Sequence, residues 1–570
     1  MTNTKLMATP KAGSRTAHPD LVIISVISIL WVCMVFIANP IGNFPLNDDW
    51  VYAQAVKSVL ENGYYHFPST SSANVGPQIY WGAFFCLPFG FSFTALRISS
   101  LVAGLGGVVA LYFLIKRFNK SSIIATIGAM SLAVNPFYFS LANSFMTDVP
   151  FVSMQIISIF FMARGLQCRN HRDILLGVAF SLVAVLIRQI AVISLLGLAI
   201  AYPVRFGITA RNIIKAALPA IVGVLIHIGY QYWLVSSGRI PVLSGHSNVN
   251  QLISFSGRGW YIRQVGLTTI VYLGMFLLPL ITLAVHAAIR RYTSRPLVRG
   301  DYFIMIGVVL VTLVTWWKGL LPPLLPNIVH EWGIGPITLR DTYKFGLNVP
   351  IVPSSISTGW AIIGFLSIVS ASCVIFCLVL ISRNAVHNLR DPKQRAESWP
   401  TWLLLVPAAA YFGVLMLITG SLPMMDRYLL PFLPLLLVLF ARGIPEDIAR
   451  FRFNIGLSAL LISTFGYFSV TATHDYLEWN RLRWVATTNL MSQGQIGPNQ
   501  IDGGYEFNGL LAYDANYVYR EDKSWWWVTD DTYMIASGPL PGYDEITRYN
   551  FERWFLGNTS SVVVLKKVIK

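Results

Sequence analysis

A pair of carboxylates stands just after the first long apolar stretch, in the segment Asn47-Asp48-Asp49-Trp50. A further acid, Asp148, stands at the edge of a later apolar stretch, in Thr147-Asp148-Val149-Pro150. An ionised carboxylate this close to a membrane is costly, and it is usually kept for a function. Such a group can orient a hydroxyl or take its proton as a general base, so Asp48, Asp49 and Asp148 are the candidate catalytic residues.

Each acid also has a simpler interpretation as the cap of a helix, where carboxylates are stabilised. Asp48 and Asp49 are adjacent, and adjacent positions do not share a helix face, so only one of them is expected to point into a cavity. Thr147-Asp148-Val149-Pro150 is itself a natural helix start with a proline in the first turn. Asp48 and Asp148 could hold a divalent cation through oxygen ligands, but two acids with no evident histidine make this a minority option. No cofactor is predicted beyond it.

Arginines at the ends of apolar stretches are the predicted phosphate ligands. Arg188 and Arg427 both occupy such positions, and a guanidinium matches the geometry of phosphate. A plain salt bridge to the neighbouring Asp426 is the competing interpretation for Arg427. Lys344 and Arg258 are weaker candidates, because a charge on a loop is more often simply solvated.

The elements that must position these side chains are membrane helices. The chain has 570 residues, is 55% hydrophobic and has a mean hydropathy of +0.58, which is typical of an integral membrane protein. We predict about thirteen spans, at residues 21–39, 92–115, 121–141, 150–166, 174–187, 189–204, 213–235, 264–288, 302–321, 359–382, 401–420, 428–441 and 454–473.

The distribution of basic residues predicts the orientation. With a cytoplasmic N-terminus, the inner segments hold 23 Lys and Arg, against 10 in the outer loops and outer span ends. The net charge of +16 therefore reflects topology, and no nucleic-acid partner is expected. The C-terminus and all three acids are then extracytoplasmic.

Three regions are predicted along the chain: a cytoplasmic segment 1–20, a transmembrane domain 21–473 and an extracytoplasmic α+β domain 474–570. Within the first outer loop, 40–91, apolar residues at helical spacing predict an interfacial helix that ends at Asn62-Gly63; they are Trp50, Ala53, Val56 and Leu60. In the last region, Tyr505 and Trp525-Trp526-Trp527 could stack on sugar rings, although aromatic residues in a small domain more often form its core.

Several of these segments, in this order, resemble those of the GT-C glycosyltransferases, in particular glycosyltransferase family 39, which includes the protein O-mannosyltransferases and the aminoarabinose transferase of lipid A. The resemblance covers about residues 20–475. It rests on the acidic pair with Tyr52-Ala53 and Gly63, on Pro77-Gln78-Ile79-Tyr80-Trp81, on Asp148, and on Arg427-Tyr428-Leu429-Leu430-Pro431-Phe432-Leu433-Pro434.

The resemblance implies an outward-facing cavity that takes a sugar from a polyprenyl-phosphate carrier, in a bacterial inner membrane with a periplasmic site. It aligns Asp48 with the catalytic Asp, whereas Asp49 stands where the family usually has Glu. Val75-Gly76 stand where relatives of the aminoarabinose transferase carry a basic residue. Tyr80 and Tyr428 lie in the matching motifs and are predicted to contact substrate, although Tyr428 could equally be a tyrosine of the membrane interface.

The predicted function is thus an inverting membrane glycosyltransferase. It would transfer a sugar from a polyprenyl-phosphate-linked donor to a lipid, glycan or protein acceptor, in contact with membrane lipids. A transporter or flippase for a lipid-linked saccharide is the alternative from another class, but transporters usually have paired repeats and ionisable groups at mid-membrane. A glycan polymerase or ligase is a third interpretation.

Overall fold

The computed structural model describes residues 17–68, 73–240, 259–293, scattered positions between 302 and 326, and 327–418, 424–494 and 496–568. In these ranges the α-helices are α1 (Ala17–Ala38), α2 (Asp49–Asn62), α3 (Gly76–Cys86), α4 (Phe93–Phe118), α5 (Ser122–Ala133), α6 (Pro136–Ala142), α7 (Asp148–Cys168), α8 (His171–Ile187), α9 (Val192–Phe206), α10 (Ala210–Ser236), α11 (Gly259–Thr293), α12 (Arg340–Tyr343), α13 (Ser354–Asn388), α14 (Pro392–Glu397), α15 (Trp399–Ile418), α16 (Phe432–Ala441), α17 (Arg452–Gly494) and α18 (Tyr505–Ala512).

Nine helices within the described ranges are long and apolar enough to cross a membrane. They lie at Pro19–Ala38, Phe93–Phe118, Asp148–Cys168, Gln189–Phe206, Ala210–Ser236, Val265–Ala284, Ser354–Asn388, Trp399–Leu417 and Arg452–Ser492. The polytopic α-helical fold class predicted from the sequence is thereby confirmed.

The count of thirteen spans stays a prediction, because the other four segments differ from simple spanning helices. The segment at 121–141 is a pair of helices, α5 and α6, bent by 59° at a break before Pro136. Helix α8 has 17 residues and α16 only 10, so both are shorter than a typical span. The stretch at 302–321 lies largely outside the described residues.

Helix α16 nevertheless connects the two ends of the bundle. A 3₁₀ turn, Asp426–Leu429, precedes it, and Arg427 in that turn binds Asp48. At the other end, the side-chain amide of Asn119, just after α4, donates to the carbonyls of Ala441 and Ile444, each at 2.8 Å. Arg427 and the acids thus lie at one end of the helices, and the α4–α5 turn lies at the other.

Helix α17 continues without a break past residue 474, where the C-terminal domain was predicted to begin. The helix changes from an apolar span to a segment that buries polar groups against protein. Asp475, for example, accepts the backbone N–H groups of Trp554 and Phe555, both at 2.9 Å. The C-terminal region is therefore joined to the bundle by a continuous helix.

A small hairpin, β1 (Val329–His330) and β2 (Gly333–Ile334), precedes α17 in the chain. The strands after α17 are β3 (Ile501–Asp502), β4 (Tyr533–Ala536), β5 (Tyr543–Arg553) and β6 (Asn558–Lys567). They form a four-stranded sheet in the order β3-β4-β6-β5. Strand β3 is parallel to β4, while β6 pairs antiparallel with both β4 and β5. The apolar run Val562–Leu565 of β6 is buried, which explains its β-branched residues.

Helix α2 has the predicted period and ends as predicted, since Gly63 takes the left-handed conformation (φ 78°) that favours glycine. Its apolar face, however, packs on protein. Trp50, Ala53 and Val56 are buried, and the Trp50 ring lies 5.7 Å from both Tyr513 and Trp527 of the C-terminal region, between ring centroids. The start of α2, which carries the acidic pair, is therefore fixed by the C-terminal region.

Candidate active site

Asp48 and Arg427 form an ion pair although they are far apart in sequence. Oδ2 of Asp48 accepts from Nη2 of Arg427 at 3.1 Å, and Oδ1 accepts from the Tyr505 hydroxyl at 2.8 Å. The side chain of Asp48 is 37% exposed, whereas that of Arg427 is 7% exposed. The carboxylate is therefore open to a ligand, and the arginine approaches it from the protein interior.

Arg427 has spare hydrogen-bonding capacity. Its Nε and Nη1 are buried and have no hydrogen-bond partner within the described part of the chain. Burial alone would lower the pKa of Arg427, but Asp48 and Asp148 raise it above its ordinary value. A buried, charged guanidinium with two unpaired N–H groups can bind an anion such as phosphate.

A second ion pair, between Asp148 and Arg188, lies close by. Nη1 of Arg188 is 3.2 Å from Oδ1 of Asp148, and its Nε donates to the Thr147 hydroxyl at 2.6 Å. Burial raises the pKa of Tyr52, Asp48 and Asp148 raise it further, and Arg188 and Arg427 lower it. The phenol of Tyr52 is thus within electrostatic reach of both ion pairs, so the structure brings the four charges into one cluster.

Asp49 points away from this cluster and is only 1% exposed. Its carboxylate accepts the backbone N–H of Leu46 at 2.6 Å and that of Phe145 at 3.1 Å. Burial raises its pKa to about 7, although Arg97 and these hydrogen bonds lower it. Because Phe145 precedes Asp148 by three residues, Asp49 ties the two acidic segments together.

Asp426 has a similar position beside Arg427. It is fully buried and accepts the backbone N–H groups of Val329 at 2.8 Å and Arg427 at 2.7 Å. Burial raises its pKa to about 7. Asp426 also accepts the backbone N–H of Ile328, so its hydrogen bonds within the described residues all come from the backbone. The side-chain partner of Arg427 is therefore Asp48 rather than Asp426.

The Asp48–Arg427 pair opens into a cavity of about 580 Å³. The wall comes from the start of α2, the segment 327–349, the turn before α16 and the C-terminal region. The lining residues are Asn47, Asp48, Asn327, His330, Trp332, Pro336, Ile337, Thr338, Thr342, Tyr343, Val349, Met424, Met425, Arg427, Tyr505 and Trp526. A cavity of this size with a few convergent polar groups is typical of a small-ligand site.

A buried network holds Asp48 from behind. Glu506 pairs with Arg483 at 2.9 Å, both side chains being fully buried, and it also accepts from the Thr338 hydroxyl and from the backbone N–H of Asn47. The sequence contained one signal of this network, the unusual run Asp502-Gly503-Gly504-Tyr505-Glu506, but nothing in the sequence shows that it reaches α2. Asn327, His330, Thr338 and Glu506 were not identified from the sequence.

Several predicted site residues lie elsewhere. The Lys344 ammonium donates to the backbone carbonyls of Glu521 and Lys523 and does not line the cavity. Tyr80 is 54% exposed on α3 and packs edge-on against Tyr65, outside the cavity wall. Arg258 lies outside the described residues.

Tyr428 has an intermediate position. The Arg427 guanidinium lies 5.8 Å from the centre of its ring, and its backbone carbonyl accepts from the Tyr411 hydroxyl at 2.7 Å. It is near the ion pairs but does not line the cavity.

The three consecutive tryptophans have different surroundings. Trp526 lines the cavity, Trp527 packs against Trp50 and Tyr513, and Trp525 is 49% exposed. One of the three is therefore placed to contact a ligand.

The arrangement favours anion binding more than metal binding. Within the described residues, no three His, Cys, Asp or Glu side chains cluster as they would around a metal ion. Asp48 and Asp148, the predicted cation ligands, each face an arginine instead.

Comparison with known proteins gives one family match. Residues 75–233 match the family model described as dolichyl-phosphate-mannose-protein mannosyltransferase. The matched segment contains the Pro77 motif, Asp148 and Arg188, while Asp48 and Arg427 lie outside it. No curated protein matches the chain.

Solved structures also match over most of the chain, with low similarity. Two crystal structures of ArnT from Cupriavidus metallidurans, one bound to undecaprenyl phosphate and one apo, show 13% identity and a TM-score of 0.38. They cover 96% and 97% of this chain and 98% of theirs. Arabinosyltransferase EmbB from Mycobacterium smegmatis shows 12% identity and a TM-score of 0.33 over 88% of this chain and 45% of its own.

Through residues 75–233, the resemblance to the group of membrane glycosyltransferases predicted from the sequence is confirmed, and this chain is similar to the dolichyl-phosphate-mannose-protein mannosyltransferases.

Proposed function

We propose that this protein is a membrane glycosyltransferase that moves a sugar from a polyprenyl-phosphate carrier to an acceptor hydroxyl. One observation carries the proposal: Asp48 and Arg427 meet at the wall of a cavity, and Arg427 keeps two buried N–H groups without partners among the described residues. A base and an unsatisfied phosphate ligand in contact are what glycosyl transfer from a phosphate-linked donor requires.

The reaction can be written with these residues. The donor phosphate binds Arg427, which loosens its pairing with Asp48. The acceptor oxygen attacks the anomeric carbon, the bond from that carbon to the phosphate oxygen breaks with its electron pair, and Asp48 takes the hydroxyl proton. Arg427, with Arg188 nearby, stabilises the charge that develops on the phosphate. A single displacement of this kind inverts the anomeric configuration, whereas retaining enzymes pass through a covalent intermediate.

The donor class is supported by the family description, which names a mannose carried on dolichyl phosphate. A polyprenyl chain suits a site at one end of a helix bundle, because the chain can remain in the lipid while its phosphate reaches the arginines. The sugar itself, hexose or pentose, is left open.

The excess of basic residues in the predicted inner segments supports an extracytoplasmic position for the site. The bacterial inner membrane is the location that the resemblance to glycosyltransferase family 39 implies. A reaction on one side of the membrane is supported by the position of the two ion pairs, Asp48–Arg427 and Asp148–Arg188, at the same end of the helix bundle. A flippase for the same lipid remains the alternative from another class, and a polymerase or ligase would differ in acceptor more than in chemistry.

The test is a transfer assay with the protein reconstituted in liposomes. The liposomes receive host membranes as a source of acceptors, together with radiolabelled polyprenyl-phosphate sugars in one arm and radiolabelled nucleotide sugars in the other. We expect label to leave only the polyprenyl donor, with free polyprenyl phosphate released and the anomeric configuration inverted in the product. Movement of labelled lipid across the bilayer with no release of polyprenyl phosphate would instead indicate a flippase.

A further inference from the structure

Aromatic rings form a continuous row along the cavity, starting at the Asp48 carboxylate. The Tyr505 hydroxyl donates to Asp48, the Tyr505 ring lies 5.5 Å from Trp526, and Trp526 lies 4.9 Å from Tyr343, between ring centroids. Tyr343 is half exposed and so marks the rim of the cavity. Aromatic faces attract the weakly positive C–H groups of a ligand, which a sugar ring presents on one face.

The remaining polar wall of this cavity is neutral. Asn47, Asn327, Thr338 and Thr342 contribute amides and hydroxyls, and burial lowers the pKa of His330 to about 4, so its imidazole is uncharged near pH 7. Among the described lining residues, the only charged side chains are the paired Asp48 and Arg427. The wall therefore suits a ligand rich in hydroxyl groups and has no further cation for an acceptor's own phosphate.

A second cavity of about 260 Å³ adjoins the first one. Ile337 and Val349 line both cavities, so the two cavities are adjacent. The second cavity is rich in amide and hydroxyl groups from the segment after Ile337 and from the sheet; these come from Asn348, Ser537, Asn558, Thr559, Ser560 and Ser561.

The two arginines of this second cavity already have partners. Arg548 pairs with Glu545, and Arg553 donates to the Ser560 hydroxyl at 2.8 Å and to the Trp332 carbonyl at 3.3 Å. Asn558, by contrast, has a side-chain oxygen that is buried and has no partner within the described residues. The buried polar atoms without partners among the described residues of this second cavity, Asn558 Oδ1 and Trp479 Nε1, both belong to uncharged groups.

We infer that the acceptor is a neutral saccharide of at least two units that lies across both cavities. Its reacting hydroxyl sits at Asp48, its terminal ring packs on Trp526 and Tyr343, and its next units pass Val349 towards Asn558 and the sheet. This inference rests on the proposed function and names the acceptor that the function leaves open. In the transfer step the acceptor oxygen bonds to the anomeric carbon of the donor, the bond from that carbon to the phosphate oxygen breaks with its electron pair, and the hydroxyl proton goes to Asp48.

The experiment offers four probes to the reconstituted full-length protein with radiolabelled polyprenyl-phosphate sugars as donors. The probes are tagged neutral monosaccharides, tagged neutral di- to hexasaccharides, Ser/Thr peptides, and phospholipid vesicles that contain lipid A. We expect label in the longer saccharides at the highest kcat/KM. Label only in the peptides or only in lipid A would overturn the inference while leaving the proposed function intact. No release of polyprenyl phosphate with any acceptor, host membranes included, would instead contradict the proposed function itself.

Two variants test where the acceptor lies. Trp526→Ala should raise KM for the saccharide by about tenfold, with a smaller change in kcat, whereas the matched Trp525→Ala, whose ring does not line either cavity, should leave KM unchanged. Asn558→Ala should raise KM for the longer saccharides about threefold and leave that for monosaccharides unchanged. Equal KM changes in Trp526→Ala and Trp525→Ala, or an Asn558→Ala effect that does not depend on acceptor length, would contradict this placement.

Discussion

Two pairs of neighbouring residues, Asp48 with Asp49 and Arg427 with Asp426, are divided between two regions of the site. Asp48 and Arg427 face each other at the cavity, and Asp48 is 37% exposed. Asp49 and Asp426 lie behind them, buried, and accept hydrogen bonds from backbone N–H groups of other segments. The front pair, Asp48 and Arg427, is therefore available to a ligand. The rear carboxylates, Asp49 and Asp426, instead bind backbone N–H groups.

The buried carboxylates fix the reactive pair in place from behind. The rear carboxylates act as clamps between segments that are distant in sequence, Asp49 to Phe145 and Asp426 to Val329. A buried carboxylate that loses its partners costs free energy, so the clamped segments stay in register. The hydrogen bonds of Asp49 therefore fix the position of Asp48, and those of Asp426 fix the position of Arg427.

The largest expected effect is on the front pair. Asp48→Asn should lower kcat by about 10²–10⁴-fold, because the amide cannot accept the acceptor's proton. The melting temperature should change little, since Asp48 is the most exposed member of the cluster. Sugar transfer and melting temperature are measured on the same preparation. Wild-type activity in Asp48→Asn would rule out Asp48 as the base. A loss of folding would indicate that Asp48, like Asp49 and Asp426, has a structural role.

Arg427→Lys should have the next largest effect. Lysine keeps the charge but loses the forked N–H groups, so kcat/KM for the donor should fall by about 10–100-fold. Arg188→Lys, in the neighbouring ion pair, is the matched comparison. It should lower kcat/KM for the donor by less, because the Nε and Nη1 of Arg188 already bind Thr147 and Asp148. Equal losses in the two variants would mean that the unpaired N–H groups of Arg427 do not bind the phosphate.

Gly504→Ala tests the support behind the front pair. Gly504 has φ 86° and ψ 174°, a conformation that is essentially restricted to glycine and costs other residues of order 1–3 kcal/mol. A Cβ atom there would also lie 2.7 Å from the Thr338 carbonyl oxygen. We expect a lower melting temperature together with a fall in kcat, as Tyr505 and Glu506 move. Gly497→Ala, where a Cβ would meet nothing within 4 Å and φ is negative, is the control and should change neither.

The sequence carried enough information to nominate the front region. Asp48, Arg427, Asp148 and Arg188 were all selected because charges at the ends of apolar stretches are rare, and the structure brings them together. The fold class followed from hydropathy in the same way. Short spans such as α16 could be located, but their number could not be established, because ten apolar residues leave a membrane crossing ambiguous.

The rear region could not be predicted. Asp49 and Asp426 bind backbone N–H groups, and every residue offers such a group, so no pattern of residue types identifies the partner. The contact of Tyr505 with Asp48 joins residues 457 positions apart and depends on how the C-terminal region sits on α2. The partners of Lys344 could not be predicted for the same reason, because every residue also offers a backbone carbonyl.

The rear carboxylates predict how stability depends on pH. Burial raises the pKa of Asp49 from 3.8 to about 7, so between these values the native state holds a proton that the unfolded chain has lost. Stability from this group is therefore greatest below about pH 4 and is lost as the pH rises to about 7. The contribution of Asp49 to the melting temperature should fall by roughly a few °C over this range. Burial lowers the pKa of His330 from 6.5 to about 4, which acts in the opposite direction, so the quantity compared is the slope in Asp49→Asn against the slope in the wild type. We expect the slope to be less negative in Asp49→Asn. Asp426 titrates in the same direction as Asp49, so a residual slope is expected. An unchanged slope in Asp49→Asn would show that this carboxyl is not protonated in the folded protein.

The smallest effect should come from the link between the two regions. Tyr505→Phe removes the hydroxyl that donates to Asp48 at 2.8 Å but keeps the ring against Trp526. The hydroxyl only orients the Asp48 carboxylate, which keeps its bond to Arg427, so kcat should fall by about 2–10-fold while KM for the acceptor stays constant. Tyr517→Phe, whose hydroxyl binds the carbonyls of Ser524 and Val528 away from Asp48, is the matched control. A loss as large as that in Asp48→Asn would make the phenol part of proton transfer, because a group that only orients the carboxylate leaves the Asp48–Arg427 pair able to react.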